Sequence, residues 1–141
     1  MVSDDSIVLR LEDVHKQYES ADREPVPVLH GISLSIRRGD SLAVVGPSGC
    51  GKSTLLNMIA GFDAPTNGDI RLDGQLLVNA STQTPPNSDR VVVFQNGALF
   101  PWKTVLENIA YGPIVQKTQS REQAEQEALE LLRKAGGLER I

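Results

Sequence analysis

The sequence predicts an α/β fold that combines buried parallel strands with an antiparallel β subdomain. Two short apolar runs, LAVVG at residues 42–46 and VVVF at residues 91–94, are typical of strands buried on both faces. An amphipathic helical pattern follows the first run, which gives the strand–turn–helix order of α/β proteins. Elsewhere apolar and polar residues alternate, as they do in strands that have one exposed face.

Length and composition predict one modest globular domain. The chain has 141 residues, of which 40% are hydrophobic and 23% are charged, so disorder is not expected. A formal net charge of -4 gives no reason to expect a nucleic-acid partner. The single cysteine, Cys50, excludes an internal disulfide and fits a reducing compartment. The N-terminus lacks the features of a signal peptide, and no apolar run approaches the roughly 20 residues of a membrane span, so we expect a cytoplasmic protein.

The first part of the chain predicts two strands of the antiparallel subdomain. Residues 7–11 and residues 28–36 alternate between apolar and polar side chains. A polar segment that contains proline, residues 19–27, is expected to connect them. The sequence RRGD at residues 37–40 is typical of a turn.

A helix and a hairpin are predicted next. The helix begins near Lys52, has an apolar stripe of Leu55, Leu56 and Ile59, and ends at Gly61, because glycine suits a helix C-cap. Residues 66–80 contain two strand-like pieces around Asp73-Gly74, which is a strong hairpin signal, and residues 81–89 have the composition of a loop.

Two further helices are predicted in the last third of the chain. A short one covers residues 104–111, and a longer one covers residues 120–135. Ser120 and Gln123 form a capping box at the start of the longer helix, and Gly136 and Gly137 end it.

The segment GPSGCGKST, residues 46–54, matches the phosphate-binding pattern G-x-x-x-x-G-K-[ST], and we call it the P-loop. Glycines let the backbone curl so that its N–H groups and the following helix N-terminus surround phosphate oxygens. Lys52 suits the β- and γ-phosphates, and the Ser53 hydroxyl suits Mg²⁺. Cys50 contributes its backbone N–H, and no neighbouring group suggests thiol catalysis. The expected nucleotide-binding residues of the loop are Gly46, Pro47, Ser48, Gly49, Cys50, Gly51, Lys52, Ser53 and Thr54.

A P-loop alone does not distinguish kinases, GTPases and ATPases. Many small kinases and GTPases begin almost directly with the P-loop strand, whereas about 45 residues precede it here. The sequence also lacks an Asn-Lys-x-Asp motif for guanine recognition. Both observations favour an ATPase.

The sequence resembles the ATP-binding subunits of ABC transporters along nearly its whole length. The resemblance rests on VHKQY, on VLHGISLSIRRGDSLAVVGPSGCGKSTLLNMIAGFDAPTNGDIRLDG and on VVVFQNGALFPWKTVLENIAYG. It implies a P-loop NTPase fold of the ABC ATPase type with an antiparallel β subdomain, and it implies ATP and Mg²⁺ as cofactors.

The resemblance also implies roles for two residues outside the P-loop. Tyr18 stands where the family has an aromatic side chain that stacks on adenine, although a tyrosine that simply packs at a strand end stays open on the residues alone. Gln95 matches the Q-loop glutamine, which contacts Mg²⁺ and the attacking water in that family. The implied catalytic residues are therefore Lys52 and Gln95, and the implied metal contacts are Ser53 and Gln95.

The segment after Gln95 is more apolar than most loops, and it contains Leu99, Phe100, Pro101 and Trp102. The aromatic side chains can fold back into the core or can dock on another protein. In the resembled family this surface receives a helix of the membrane-spanning permease, so the candidate permease contacts are Phe100, Pro101 and Trp102. The sequence Leu-Phe-Pro-Trp at residues 99–102 resembles the corresponding segment in importers of nitrate, aliphatic sulfonates and taurine.

The later motifs of the resembled family are not found in the sequence. They are the LSGGQ-like signature, the Walker B strand with its Asp and Glu, and the switch histidine, since His15 and His30 precede the P-loop. We expect a chain truncated before the helical subdomain and the Walker B strand are complete. Residues 1–95 would form the nucleotide-binding core with the P-loop and the β subdomain, and residues 96–141 the Q-loop and the start of the helical subdomain.

The resemblance implies the ATP-binding subunit of an importer for a small anionic solute such as taurine, a sulfonate or nitrate. It implies a peripheral protein on the cytoplasmic face of the cell membrane that works with permease subunits, a second copy of itself and, indirectly, a solute-binding protein. ATPase activity follows from the resemblance, but we expect the 141 residues alone to be inactive. The alternatives are a catalytically inactive nucleotide-binding module and a non-transport ABC ATPase, and the aromatic Q-loop segment and the lack of a basic face argue against the latter.

Overall fold

The computed structural model describes residues 6–87 and 89–136, and the chain divides into two compact units, Met1–Val92 and Val93–Ile141. The first unit contains β1 (Ile7–Glu19), β2 (Pro25–Arg37), α1 (Lys52–Ala60), β3 (Asn67–Leu72) and β4 (Gln75–Val78). The second unit contains α2 (Val105–Val115) and α3 (Arg121–Lys134). No helix among these described residues is long and apolar enough to cross a membrane.

The first unit is built on one antiparallel sheet with the strand order β2-β1-β3-β4. β1 lies inside the sheet, where Leu11 pairs with Leu34 of β2 on one side and with Ile70 of β3 on the other. β1 and β2 are both longer than their alternating patterns predicted. The predicted connection at residues 19–27 is therefore shorter and covers residues 20–24. The antiparallel β subdomain is thus present as predicted.

The core of the first unit lies between the sheet and α1. Met58 of α1 is fully buried at 0% exposure, and Leu55 is also buried. The predicted stripe was wrong for Leu56, which is about half exposed, because Met58 faces the sheet instead. The buried residues of this core are Leu9, Leu11, Val14, Leu29, Leu55, Met58, Ile70, Leu77 and Val78.

Turn chemistry fixes two local features that the sequence predicted. Gly61 caps the C-terminus of α1 with a left-handed φ of 88°, which confirms the predicted end of the helix. Asp73 and Gly74 both have positive φ, 46° and 76°, between β3 and β4. Positive φ at both central residues suits a two-residue hairpin, so the predicted hairpin is confirmed.

The two predicted parallel strands are not formed, and that expectation was wrong. Residues 42–46 and residues 91–94 have no strand conformation, and Val45 and Val93 are 88% and 90% exposed. A strand buried on both faces needs neighbouring strands at its edges and covering elements on its faces. Among the described residues every strand ladder is antiparallel and joins two of β1 to β4, and the isolated bridge between Val78 and Gln83 is antiparallel as well, so neither apolar run has such a neighbour.

The second unit is a helical pair with a small alanine-lined core. Ser120 caps α3, and Gln123 completes the capping box as predicted. α2 begins after Thr104, which forms a capping box with Glu107, and continues through Pro113 beyond the predicted end. The buried residues between the helices are Ala110, Ala124 and Ala128. Gly136 follows α3 with a φ of 71°, and Gly137 lies outside the described residues.

Candidate functional site

The P-loop passes from the irregular segment before Gly46 through a turn into α1. Gly49 and Gly51 have left-handed φ values of 81° and 95°, which residues with a Cβ rarely adopt. A Cβ at Gly51 would stand 2.7 Å from Cδ2 of Leu29 and 3.1 Å from the carbonyl oxygen of Val28. Glycine at this position therefore allows the start of α1 to lie directly against β2.

The front of the P-loop is also tightly curled. A Cβ at Gly46 would stand 2.8 Å from the sulfur of Cys50, so the two ends of the turn are in contact. The backbone N–H of Cys50 donates to the carbonyl of Pro47 at 3.4 Å. The thiol of Cys50 is exposed and lies beside this turn.

Lys52 folds back over the loop that precedes it. Its Nζ donates to the carbonyl oxygens of Gly46 at 2.9 Å and Pro47 at 2.6 Å, and it lies 3.5 Å from the sulfur of Cys50. The ammonium group is thus held at the centre of the loop by neutral acceptors. An anionic oxygen binds an ammonium group more strongly than a carbonyl does, so a phosphate placed there would compete well for Lys52.

The N-terminus of α1 adds further donors beside Lys52. Its N-cap is Gly51, which has no side chain to cap the helix, and the first turn contains no acidic residue. The N–H groups of a first helical turn lack partners within the helix and favour negative charge. Ser53 is exposed and offers a hydroxyl oxygen, a ligand type that suits Mg²⁺, while Thr54 is half-buried. The residues present therefore fit a magnesium-bound polyphosphate.

Tyr18 lies near the end of β1, and its side chain is partly exposed at 42%. Its hydroxyl donates to Oδ2 of Asp63 at 2.6 Å, and Nζ of Lys16 lies 4.7 Å from the centre of its ring. The hydrogen bond to the Asp63 carboxylate and partial burial raise the pKa of Tyr18, and a hydrogen bond from Thr54 acts in the opposite direction. Because Thr54 belongs to the P-loop, Tyr18 and the P-loop are neighbours in the first unit.

Lys16 and Asp63 form a polar cluster with Tyr18 that the sequence reasoning missed. Nζ of Lys16 donates to Oδ1 of Asp63 and to the carbonyl of Ala64, both at 2.6 Å. Burial alone would raise the pKa of Asp63, but hydrogen bonds from Lys16 and Tyr18 outweigh it and lower the pKa. The sequence did contain a signal for this pair. Lys16 lies two positions after buried Val14 and therefore on the same face of β1, and a buried lysine requires an acidic partner.

Gln95 belongs to the second unit, where it lies exposed at a bend. The next described feature is a turn at residues 100–103, closed by a hydrogen bond from the N–H of Lys103 to the carbonyl of Phe100 at 3.0 Å. The Phe100 ring contacts Tyr111 edge-on with 4.7 Å between centroids, and it lies 5.5 Å from the ring of Trp102. Phe100 is thus half-buried against α2, whereas Trp102 is 76% exposed.

One amide side chain fixes this turn. Oδ1 of Asn108 accepts the N–H of Phe100 at 2.7 Å, and its Nδ2 donates to the carbonyls of Phe100, Lys103 and Thr104 at 3.2, 3.2 and 2.9 Å. Asn108 therefore binds both ends of the turn to the first turns of α2. The exposed Trp102 is presented on a well-supported loop.

Comparison with known proteins identifies the family. The sequence model of the ABC transporter family matches residues 29–140, so the chain belongs to the ABC transporter family. The taurine import ATP-binding protein TauB of Roseobacter denitrificans is 43% identical over 110 residues, which are 78% of this chain and 39% of TauB. The bicarbonate transport ATP-binding protein CmpD of a Synechocystis species is 46% identical over 101 residues, 72% of this chain and 33% of CmpD. The chain thus spans well under half the length of these curated relatives.

A solved structure supports the same assignment. The ATP-binding cassette MJ0796, in a dimeric post-hydrolysis state bound to ADP and phosphate, aligns with a TM-score of 0.70 at 31% identity. The alignment covers 91% of this chain and 57% of the MJ0796 chain. The predicted fold class, an ABC ATPase-like α/β fold with an antiparallel β subdomain, is therefore confirmed.

Proposed function

We propose that this chain is the nucleotide-binding part of an ATP-binding subunit of an importer. The observation that carries the proposal is the P-loop, in which Lys52 is held at the centre of a curled loop whose end is the uncapped N-terminus of α1. This arrangement concentrates a cation and several N–H donors at one point of the surface. ATP supplies the polyphosphate that such a site binds, and Mg²⁺ neutralises part of its charge.

Each site residue has a proposed task. Lys52 binds the β- and γ-phosphates, the loop N–H groups bind phosphate oxygens, and Ser53 ligates Mg²⁺. Tyr18 stacks on the base, which its exposed position beside the P-loop supports. Gln95 orients Mg²⁺ and the attacking water as a neutral ligand.

We propose residues 1–95 as the nucleotide-binding core and residues 96–141 as the Q-loop with the start of the helical subdomain. The division of the chain between Val92 and Val93 supports this proposal.

The partners are proposed from the aromatic turn and from the relatives. An exposed tryptophan on a rigid turn is a frequent anchor of protein interfaces, and Trp102 is such a residue. We assign Phe100, Pro101 and Trp102 to a permease contact, at the cytoplasmic face of the cell membrane. The dimeric MJ0796 structure supports pairing with a second copy. TauB and CmpD are named for taurine import and bicarbonate transport, which supports uptake of a small solute with an oxyanion group. The proposed solute is taurine, a sulfonate or nitrate, taken up with the help of a solute-binding protein.

A chimera tests this function within a complete transporter. The segment of TauB from Roseobacter denitrificans that aligns with this chain is replaced by the residues of this chain, and taurine uptake is measured in cells that lack TauB. We expect uptake to be restored, and we expect Lys52→Ala in the chimera to abolish it. Trp102→Ala should reduce uptake while ATP binding remains, because the nucleotide site is untouched.

The matched control for the turn is Val115→Ala, since Val115 is an exposed apolar residue of the same unit. That substitution should leave uptake unchanged. A chimera that assembles with the permease and binds ATP, but supports uptake equally well with and without Lys52, would contradict the proposed role of the P-loop. Normal uptake with Trp102→Ala would contradict the docking role of the turn.

A further inference from the structure

The cluster of Lys16, Tyr18 and Asp63 brings together side chains from β1 and from the loop after α1. The Asp63 carboxylate accepts from Nζ of Lys16 through Oδ1 and from the hydroxyl of Tyr18 through Oδ2, each at 2.6 Å. Lys16 is buried, and its ammonium also lies 4.7 Å from the centre of the Tyr18 ring. One carboxylate and one ammonium therefore restrain the same aromatic ring.

We propose that Asp63 and Lys16 are positioning residues that hold Tyr18 as a preorganised platform for the nucleotide base. The inference rests on the proposed function, since it needs Tyr18 to meet the base of a bound nucleotide. It adds two residues to the site that the P-loop pattern does not contain. Neither of them is required to touch the nucleotide.

The physical argument begins with the freedom of an exposed tyrosine. A partly exposed ring at the end of a strand can adopt several rotamers, and a ligand that stacks on one of them must pay for the loss of the others. The short hydrogen bond to Asp63 fixes the far end of the ring, because a charged acceptor binds a hydroxyl more strongly than a neutral one does. The ring is therefore set in place before any ligand arrives.

Lys16 acts on the same ring in two ways. It holds the Asp63 carboxylate, whose other contacts include the N–H of Ala64 at 2.7 Å, so the acceptor of the Tyr18 hydrogen bond is itself fixed. It also covers one face of the ring with a cation. A stacking base would then use the opposite face, which gives the platform a defined side.

The test compares ligands with and without a base. Calorimetry measures how tightly the protein binds magnesium ATP and magnesium triphosphate. The proteins compared are the unmodified chain, Tyr18→Phe, Asp63→Ala, the double variant that carries both of these substitutions, and Tyr18→Ala. Tyr18→Phe keeps the ring and removes only the hydroxyl that Asp63 holds. Asp22→Ala, which changes an exposed carboxylate in the turn after β1, is the matched control.

We expect Tyr18→Phe and Asp63→Ala each to weaken ATP binding by about fivefold, with no further loss in the double variant and no change for triphosphate. Substitution of a residue with a merely structural role would change the dissociation constants of ATP and triphosphate by the same factor. Tyr18→Phe that binds ATP like the unmodified chain, while Tyr18→Ala binds it more weakly, would overturn the positioning role and leave the proposed base site intact. Unchanged ATP binding by Tyr18→Ala would overturn the base site itself, and the positioning role with it.

Discussion

Nζ of Lys16 lies 2.6 Å from Oδ1 of Asp63, and this ion pair joins β1 to the loop that follows α1. The side chains of Lys16 and Asp63 are only 10% and 24% exposed, so water screens this pair less than it screens surface pairs. Removal of one partner from such a pair leaves the other charge without compensation. The pair is therefore a structural element of the first unit as well as a support for Tyr18.

Asp63→Asn should destabilise the first unit at neutral pH by about 1–3 kcal/mol, since it replaces the anionic acceptor of Lys16 with a neutral amide and removes the counter-charge. The pKa of Asp63 is lowered in the folded state: burial opposes the shift, and the hydrogen bonds from Lys16 and Tyr18 outweigh it. A lowered pKa stabilises the fold fully above the unfolded value, about 3.9, and this contribution is lost as the pH falls through the folded value. The variant and the unmodified chain should therefore converge in acid.

Amide hydrogen exchange in β1 and β3, measured between neutral pH and about pH 3, checks this behaviour. Asp22→Asn removes an exposed carboxylate from the same unit and should leave the profile unchanged. A stability difference for Asp63→Asn that is as large in acid as at neutral pH would show that the carboxylate charge is not its source.

Two glycines of the P-loop separate backbone strain from steric contact. Gly49 and Gly51 both have left-handed φ, but a Cβ at Gly49 would meet no atom within 4 Å, whereas one at Gly51 would stand 2.7 Å from Leu29. Gly49→Ala should cost about 1–2 kcal/mol from the φ angle alone. Gly51→Ala should cost at least about 1 kcal/mol more, because Leu29 must move. Urea unfolding followed by circular dichroism checks the difference, and equal losses would contradict the close approach of α1 to β2.

Asn108 offers a test of the aromatic turn. Asn108→Ala removes four hydrogen bonds to the backbone between Phe100 and Thr104, so we expect a loss of about 1–3 kcal/mol in the stability of the second unit. Amide hydrogen exchange in α2, whose first turns Asn108 ties to the turn, measures this loss. Asn96→Ala, at the exposed bend before the turn, should have little effect. Equal stability of the two variants would show that Asn108 does not hold the turn.

Features encoded by neighbouring residues could be predicted from the sequence. The capping box of Ser120, the Gly61 cap and the Asp73-Gly74 hairpin each depend on a few adjacent residues, and all three are present. The strands at residues 42–46 and 91–94 were predicted from apolar runs, yet such strands depend on distant partners that the described residues do not supply. The Lys16–Asp63 pair was missed for a related reason, since 47 positions separate the two residues.

Turnover of ATP tests the expected inactivity of these 141 residues. Their sequence contains no LSGGQ-like signature and no Walker B Asp-Glu pair, and one catalytic helper of a P-loop can be worth about 10³–10⁵ in rate. Phosphate release by the purified chain should therefore match that of Lys52→Ala. Turnover that Lys52→Ala abolishes would show that the chain catalyses hydrolysis without those motifs.

The most direct measurement of the central claim is the affinity of the purified chain for magnesium ATP by calorimetry. Lys52→Ala is compared with Lys117→Ala, which removes an exposed lysine from the second unit. We expect ATP to bind, Lys52→Ala to weaken binding by at least about tenfold, and Lys117→Ala to leave it unchanged. ATP binding of equal strength with and without the Lys52 ammonium would contradict the assignment of the P-loop as the nucleotide site.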